Sequence, residues 1–481
     1  DDLIKCLENK EWIKNQNEEW FARLFNYLSK KKLSYEQLER LRSLEIIKLE
    51  NGEFTSINDD TIFFPLKKER KEIYGFENEL RVIKKEIVDN ILKQEKEERD
   101  KILEFLEELG LKRADPYTII EEHILPAYEM GEWKQKDSKV LVGYVKYIKD
   151  KLDRYEKESD KRLNANKHSW KQKEDPLKRL KKSLLIRINK EDEGKEWYNK
   201  PENIYLPRIY GNENDLEKLF DGIDVSFVHP CYIEQDIKHI NDKIAKLKSR
   251  LEGKSKRWRK KHKKEVKKIE EQIAKLEEEK SKKVAGWKEF FLKIGIWETV
   301  MVKKDPETEI FKGPEYSFYE VTRKCIPRSE KRNTIWKNEI WKETDRKYYI
   351  EDDWVSPHFC FLLEKLNKES PENKIELSKR MLKLFDKNWD IYKDTIKTKY
   401  YYRYSGQRGW SEDFTKSTFY IMLLENAWIP TTKGLHKPSE VFLDKPEIRE
   451  VLGDTVPYLA VKIENEDFIR TLGINTQASV E

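Results

Sequence analysis

The chain has 481 residues, enough for about three domains and for cores that need neither disulfides nor metals. Charged residues make up 40% and apolar residues 37%, yet 20 Phe, 23 Tyr and 14 Trp stand against only 17 Gly and 16 Pro. That balance excludes a disordered or linker-like chain and reads as a folded, mostly helical, Lys/Glu-rich protein of thermophile-like composition.

At the start, Asp1-Asp2-Leu3-Ile4-Lys5 is acidic and lacks a signal peptide's basic and apolar regions. No run approaches the ~18 apolar residues of a membrane span. Cys6, Cys231, Cys325 and Cys360 lie far apart without a C-x-x-C, which indicates neither a disulfide framework nor a zinc knuckle, so a cytoplasmic protein is expected. There is no initiator Met, and Thr476 to Glu481 follow closely on a structured-looking motif, so the chain reads as a piece of something longer.

Taken in order, the first elements are a helical stretch at 20–25, an apolar strand at 45–49, a polar turn, a second strand at Ile62-Phe63-Phe64-Pro65, and a helix end at Phe105 closed by Gly110-Leu111. The same order follows with a helix at 142–148, strands at 184–188 and 204–207, and Phe291 leading to Gly295-Ile296. It comes a third time with a helix at 417–423, Trp428-Ile429-Pro430, Val441-Phe442-Leu443, and Phe468 leading to Gly473-Ile474. Each glycine suits a helix C′ position with positive φ, followed by an apolar residue packing back on the last turn. Three ordered elements recurring three times predict an internal repeat, with units at 1–125, 126–305 and 306–481.

The second copy is stretched between strand and glycine. Ile237, Ile240, Ile244, Leu247 and Leu251 alternate by three and four, as do Val266, Ile269, Ile273 and Leu276. This predicts an antiparallel coiled-coil hairpin over about 233–284, turning at Gly253-Lys254-Ser255. Residues 253–268 hold ten Lys/Arg against one Glu, although the whole chain is only +6. Lys254, Lys256, Arg257, Arg259, Lys260, Lys261, Lys263 and Lys264, with Trp258 among them, suit phosphate contact plus stacking on nucleic acid. A dock for an acidic protein or partner subunit, or a plain solvated hairpin, fits the same run.

A second basic-aromatic stretch contains Lys397, Lys399, Tyr402, Arg403 and Arg408. It could offer rings beside cations, but an aromatic strand with alternate tyrosines buried explains it better. Trp336, Trp341 and Trp354, with Tyr348 and Tyr349, read as packing residues.

The third copy carries a resemblance. Trp428-Ile429-Pro430-Thr431, Lys437-Pro438-Ser439-Glu440-Val441-Phe442-Leu443 and Phe468 to Ile474 are similar to the repeated segments of sacsin-like proteins. About 60 residues match closely. In that family such segments follow a GHKL-type, chaperone-like ATPase domain. The resemblance implies ATP binding elsewhere in the parent protein, with this region serving clients, partners or coupling. No glycine-rich ATP-lid run is present, so no residue here is assigned to ATP and no cofactor is expected in this segment.

No P-loop, dinucleotide fingerprint, nucleophile elbow or H-E-x-x-H occurs. His229-Cys231 and His358-Cys360 each offer two metal ligands where three or four are needed. Asp59-Asp60 and Asp352-Asp353 are ordinary in so acidic a chain. Ser356-Pro357 predicts a helix N-cap with Pro at N1. The expectation is an α+β, predominantly helical, non-catalytic region that engages a protein client or partner, including the parent's own ATPase domain. The alternative is a nucleic-acid-binding scaffold of a defence or DNA-processing machine working through the hairpin tip.

Overall fold

A computed structural model describes residues 2–65, 74–165, 175, 177–190, 195–305, 309–312, 346–350, 353–404 and 411–478. Helices predominate, joined by two-stranded sheets and one four-stranded sheet. Among the described residues no helix is long and apolar enough to cross a membrane. The chain forms two compact units: Asp1–Asn203 with Val228–Gly295, and Ile204–Phe227 with Ile296–Glu481. These do not follow the expected boundaries at 125 and 305. The reason lies in lateral hydrogen bonding, because Leu206 N–H bonds to the Trp297 carbonyl at 2.8 Å and Trp297 N–H to that of Ile204 at 3.0 Å. Those bonds commit 204–227 to the chain that follows 296.

In the first unit, the Asn17 side chain accepts from Trp20 N–H and starts helix Glu18–Ser29. Phe21, Leu24, Phe25 and Leu28 then fall on one face. They pack with Ile87 and Ile91 of helix Lys85–Leu92, and with Ile102 and Leu106 of helix Lys96–Leu109. Each such buried side chain contributes roughly 1.5–3 kcal/mol. Glu18 ties the cluster to its neighbours by accepting from Lys84 at 2.7 Å and Lys48 at 2.9 Å. Further on, helix Ser138–Ala165 passes so close to Tyr74 that a Cβ on Gly143 would lie 2.1 Å from the Tyr74 carbonyl oxygen.

The second unit is built around helices Pro357–Lys368 and Pro371–Lys387. Phe359, Phe385, Tyr392, Phe419 and Trp428 meet in its core, largely edge to face. Ser356 caps the first helix from the Phe359 N–H, with Pro357 at N1, as its sequence predicts. Asp353 caps a different helix: its carboxylate accepts from the Thr418 N–H at 3.0 Å and from the Thr418 hydroxyl.

One set of backbone pairings occurs at three places. An antiparallel bridge joins Leu49 to Ile83, Ile188 to Val228, and Thr431 to Leu459. Each of Phe63, Tyr205 and Phe442 then sits between two parallel partners. Those partners are Val82 and Lys112 for Phe63, Phe227 and Trp297 for Tyr205, and Tyr458 and Asn475 for Phe442. Lys112, Trp297 and Asn475 each come two residues after the glycines singled out by sequence. Gly110, Gly295 and Gly473 have φ of +129°, +101° and +73°, so the chain can leave a helix end and run directly beside a strand. The division between the two units falls inside the second of these places.

Candidate functional site: a cationic helical hairpin

In the first unit, helices Glu234–Leu251 and Lys263–Lys293 pack against each other. Lys283 pairs with Asp236, Lys280 donates to Asn241, and Lys248 pairs with Glu277, so the arms run antiparallel. Ile240, Ile244 and Ile269 are buried, and Ile237, Leu247, Leu251, Val266, Ile273 and Leu276 are half-buried. Between 241 and 251 every other position is exposed. The apolar seam therefore lies where the three-and-four spacing puts it. The first arm is about 27 Å long at ~1.5 Å per residue.

The turn is larger than the sequence suggests. Gly253, at φ +74°, reverses the chain. Ser255 then accepts from the Trp258 N–H and starts a separate short helix, Lys256–Lys261, which breaks at His262 before the second arm begins. Capping chemistry at Ser255 and a non-helical His262 set this corner, rather than glycine alone. Trp258 stacks on His262, with centroids 4.2 Å apart and planes 17° from parallel, and Lys254 Nζ lies 5.0 Å from the indole centroid. Arg259 Nη2 donates to the Leu251 carbonyl at 2.9 Å and closes the end of the first arm.

These contacts divide the predicted site residues. Trp258 and Arg259 build the corner, so the indole is not presented for base stacking as the sequence reading supposed. Lys254, Lys260, Lys261, Lys263 and Lys264 are exposed, and no carboxylate partner is found for them among the described residues. Lys256 and Arg257 lie on the short helix between. The tip is thus a cluster of exposed ammonium groups on a rigid corner, suited to a polyanionic surface.

The remaining singled-out residues have other roles. Lys397, Lys399, Tyr402 and Arg403 lie on the strand Lys397–Tyr404 of the second unit, while Arg408, Trp336, Trp341, Cys325 and Asp352 lie outside the described residues. Trp354 packs partly buried against the second core, as expected of a packing residue. Asp59 and Asp60 accept from the Ser56 and Thr55 hydroxyls in a local turn. His229 Nδ1 accepts from the Cys231 N–H, and burial pushes the Cys231 thiol up to about 12. His358 Nδ1 meets the Tyr205 hydroxyl at 2.6 Å. Cys6 and Cys231 are free, whereas Cys360 is engaged in a disulfide that the cysteine spacing did not suggest. Among the described residues no group of three His, Cys, Asp or Glu is placed to hold a metal.

Two polar features could not be read from the sequence, because distant segments supply them. A cavity of about 290 Å³ lies at the base of the hairpin, where Lys149, Asp150, Tyr232, Asp236, Lys283 and Trp287 line it. Its cations are already engaged, Lys149 with Asp150 and Lys283 with Asp236. Elsewhere in the unit, His123 sits on a single π-turn, Ile120–Ile124, inside a longer helical run. Tyr144 donates to Glu79 at 2.9 Å, and its hydroxyl lies 3.1 Å from His123 Nε2, while Lys136 pairs with Glu79. Burial, with Lys136 nearby, holds the imidazole pKa down to about 4, so it stays neutral near pH 7.

Protein NO VEIN of Arabidopsis thaliana is 23% identical over 470 residues, covering 92% of this chain and 14% of the plant protein. The chain therefore spans a small part of that relative's length. No protein-family model matches the sequence, and no solved structure does.

Proposed function

We propose that this chain is a non-catalytic binding and coupling region of a larger, sacsin-like, chaperone-like ATPase, engaging a protein client or partner. In this reading it consists of three tandem α+β repeats with an antiparallel coiled-coil hairpin inserted in the second. The observation that carries it is the triple occurrence of one pairing pattern: an antiparallel bridge, two parallel bridges to one residue, and a glycine-closed helix end. Repeat arrays offer extended surfaces for partners rather than a single enclosed pocket. The long alignment with a much larger plant protein fits a segment that works inside a longer chain. ATP then binds outside this segment, and the ATPase domain of the parent chain is itself a candidate partner for the cationic tip.

A second reading, nucleic-acid binding through the tip, is favoured by the exposed lysines without carboxylate partners. One variant separates the two. Replacing Lys260, Lys261, Lys263 and Lys264 by Ala spares the corner residues Ser255, Trp258 and Arg259. If the tip docks on the parent ATPase domain, this variant alters ATP turnover of the full-length parent while duplex DNA affinity of the segment stays unchanged. If the tip grips nucleic acid, the log–log salt slope for duplex binding loses up to about 3.6 units, ~0.9 for each phosphate contact. Unchanged turnover and unchanged binding together would sink both readings of the tip.

A further inference from the structure

In the second unit, strands Glu309–Lys312, Arg346–Ile350, Lys397–Tyr404 and Ser411–Lys416 form one antiparallel sheet, with 309–312 and 411–416 at its edges. Residues directly opposite each other share a face, and residues along a strand alternate between faces. Lys397 is opposite Lys416, Lys399 opposite Phe414, and Tyr401 opposite both Glu412 and Tyr349. Arg403 is opposite Lys347, which in turn is opposite Lys312. One face thus takes six cationic positions: Lys312, Lys347, Lys397, Lys399, Arg403 and Lys416. It also takes three rings, Tyr349, Tyr401 and Phe414, and one carboxylate, Glu412.

This is the solvent face. Phe414 is 61% exposed, whereas Thr398, on the opposite face, is 3% exposed. Lys397 and Glu412 are exposed as well. Lys399 Nζ reaches Glu412 at 3.0 Å and lies 6.0 Å from the Phe414 centroid, so cation and ring sit side by side. The register removes Tyr402 from the basic-aromatic stretch seen in the sequence by placing it on the Thr398 face. It adds rings and cations from three other strands, which the linear sequence could not associate.

We propose that this face is a platform for single-stranded nucleic acid. The excess of cations calls for a polyanion. The interleaved rings distinguish among polyanions, because an acidic protein surface gives them nothing to stack on and a duplex keeps its base faces inside the helix. A single strand presents both groups together, and aromatic side chains among cations bind it with little sequence preference. Same-face positions along a strand recur every ~6.8 Å, close to the spacing of phosphates in an extended single strand. The platform is independent of the hairpin, which belongs to the other compact unit.

The test is fluorescence anisotropy of a short labelled oligothymidylate titrated with the whole 481-residue chain over a salt series. Phe414→Ala is expected to weaken binding about 5- to 150-fold, with Phe414→Leu nearly as weak because bulk without a ring does not stack. Lys397→Ala should lower the salt slope by about 0.7. Both side chains are exposed, so thermal melts should match the parent protein. The four-lysine tip variant should bind the oligonucleotide as the parent does, and a duplex of equal length should bind more weakly. Unchanged affinity in Phe414→Ala and Lys397→Ala overturns the proposal. So does equal, ring-independent binding of duplex and heparin, which would make the face a dock for acidic proteins.

Discussion

Gly143 and His123 illustrate how single residues acquire roles that only the folded neighbourhood defines. Gly143 lies inside a regular helix and has no unusual φ, so its local sequence gives no reason for glycine. The reason is the Tyr74 carbonyl oxygen, which occupies the space a Cβ would need. Gly143→Ala is expected to cost roughly 2–4 kcal/mol, since backbone atoms on both sides must separate. Urea denaturation followed by far-UV circular dichroism would measure it, and a cost below about 0.5 kcal/mol would contradict the close approach. Gly110, Gly295 and Gly473 contrast with it. Their positive φ was legible from position alone, because an apolar helix end followed by glycine and another apolar residue is itself a capping signal. His123 was not legible: Glu79, Lys136 and Tyr144 converge on it from elements spread over sixty residues.

Among the elements, the hairpin was the most readable, because a three-and-four spacing specifies both a helix and the face that is covered. Ile240, Ile244 and Ile269 are buried in an otherwise exposed pair of arms. Ile244→Ala should destabilise the arms by about 2 kcal/mol, at the low end for a buried isoleucine because solvent borders the seam. Hydrogen exchange should show the loss confined to 234–293, and protection lost equally across the first unit would contradict a locally opening hairpin. Its corner was less readable, since Ser255 competes with Gly253 for control of the turn. The small sheets were partly readable. Asn51-Gly52 marks the hairpin between Ile47–Lys48 and Phe54–Thr55, with Gly52 at φ +87°. The parallel partners of Phe63, Tyr205 and Phe442 come from far along the chain, and strands of two or three residues carry too little pattern to identify them.

At the scale of the whole molecule, each compact unit holds one imidazole whose pKa is lowered to about 4. Burial is the main cause in both, with Lys136 adding near His123 and Lys303 near His358. In an unfolded chain these groups titrate near 6.5. Between about pH 6.5 and 4 the unfolded state therefore takes up protons that the folded state refuses, and stability falls as pH drops. Below about 4 that loss is complete. Glu18 adds a separate window. Lys84 and Lys48 hold its carboxyl down to about 2, so its stabilisation is present above ~4.3 and is lost as pH falls towards 2. Denaturant midpoints at pH 7.5 and 4.5 should differ by about 2 kcal/mol for each histidine, and His123→Gln with His358→Gln should flatten that difference. A midpoint independent of pH across this range would contradict neutral buried imidazoles.

The alternation of the two compact units along the chain has a consequence for synthesis. The chain passes from one to the other after Asn203, after Phe227 and after Gly295. A ribosome that has released only the first 203 residues has exposed the Ile186–Ile188 strand without Val228, its antiparallel neighbour, and without the helical arms. The first unit cannot close until residue 295 is out, and meanwhile the strand Ile204–Tyr205 waits for Trp297, part of a unit still being made. Folding in order of emergence, the usual route for multidomain chains, is denied to this one. Nascent chains of intermediate length must carry open strand edges, which makes early chaperone capture a requirement of the topology itself.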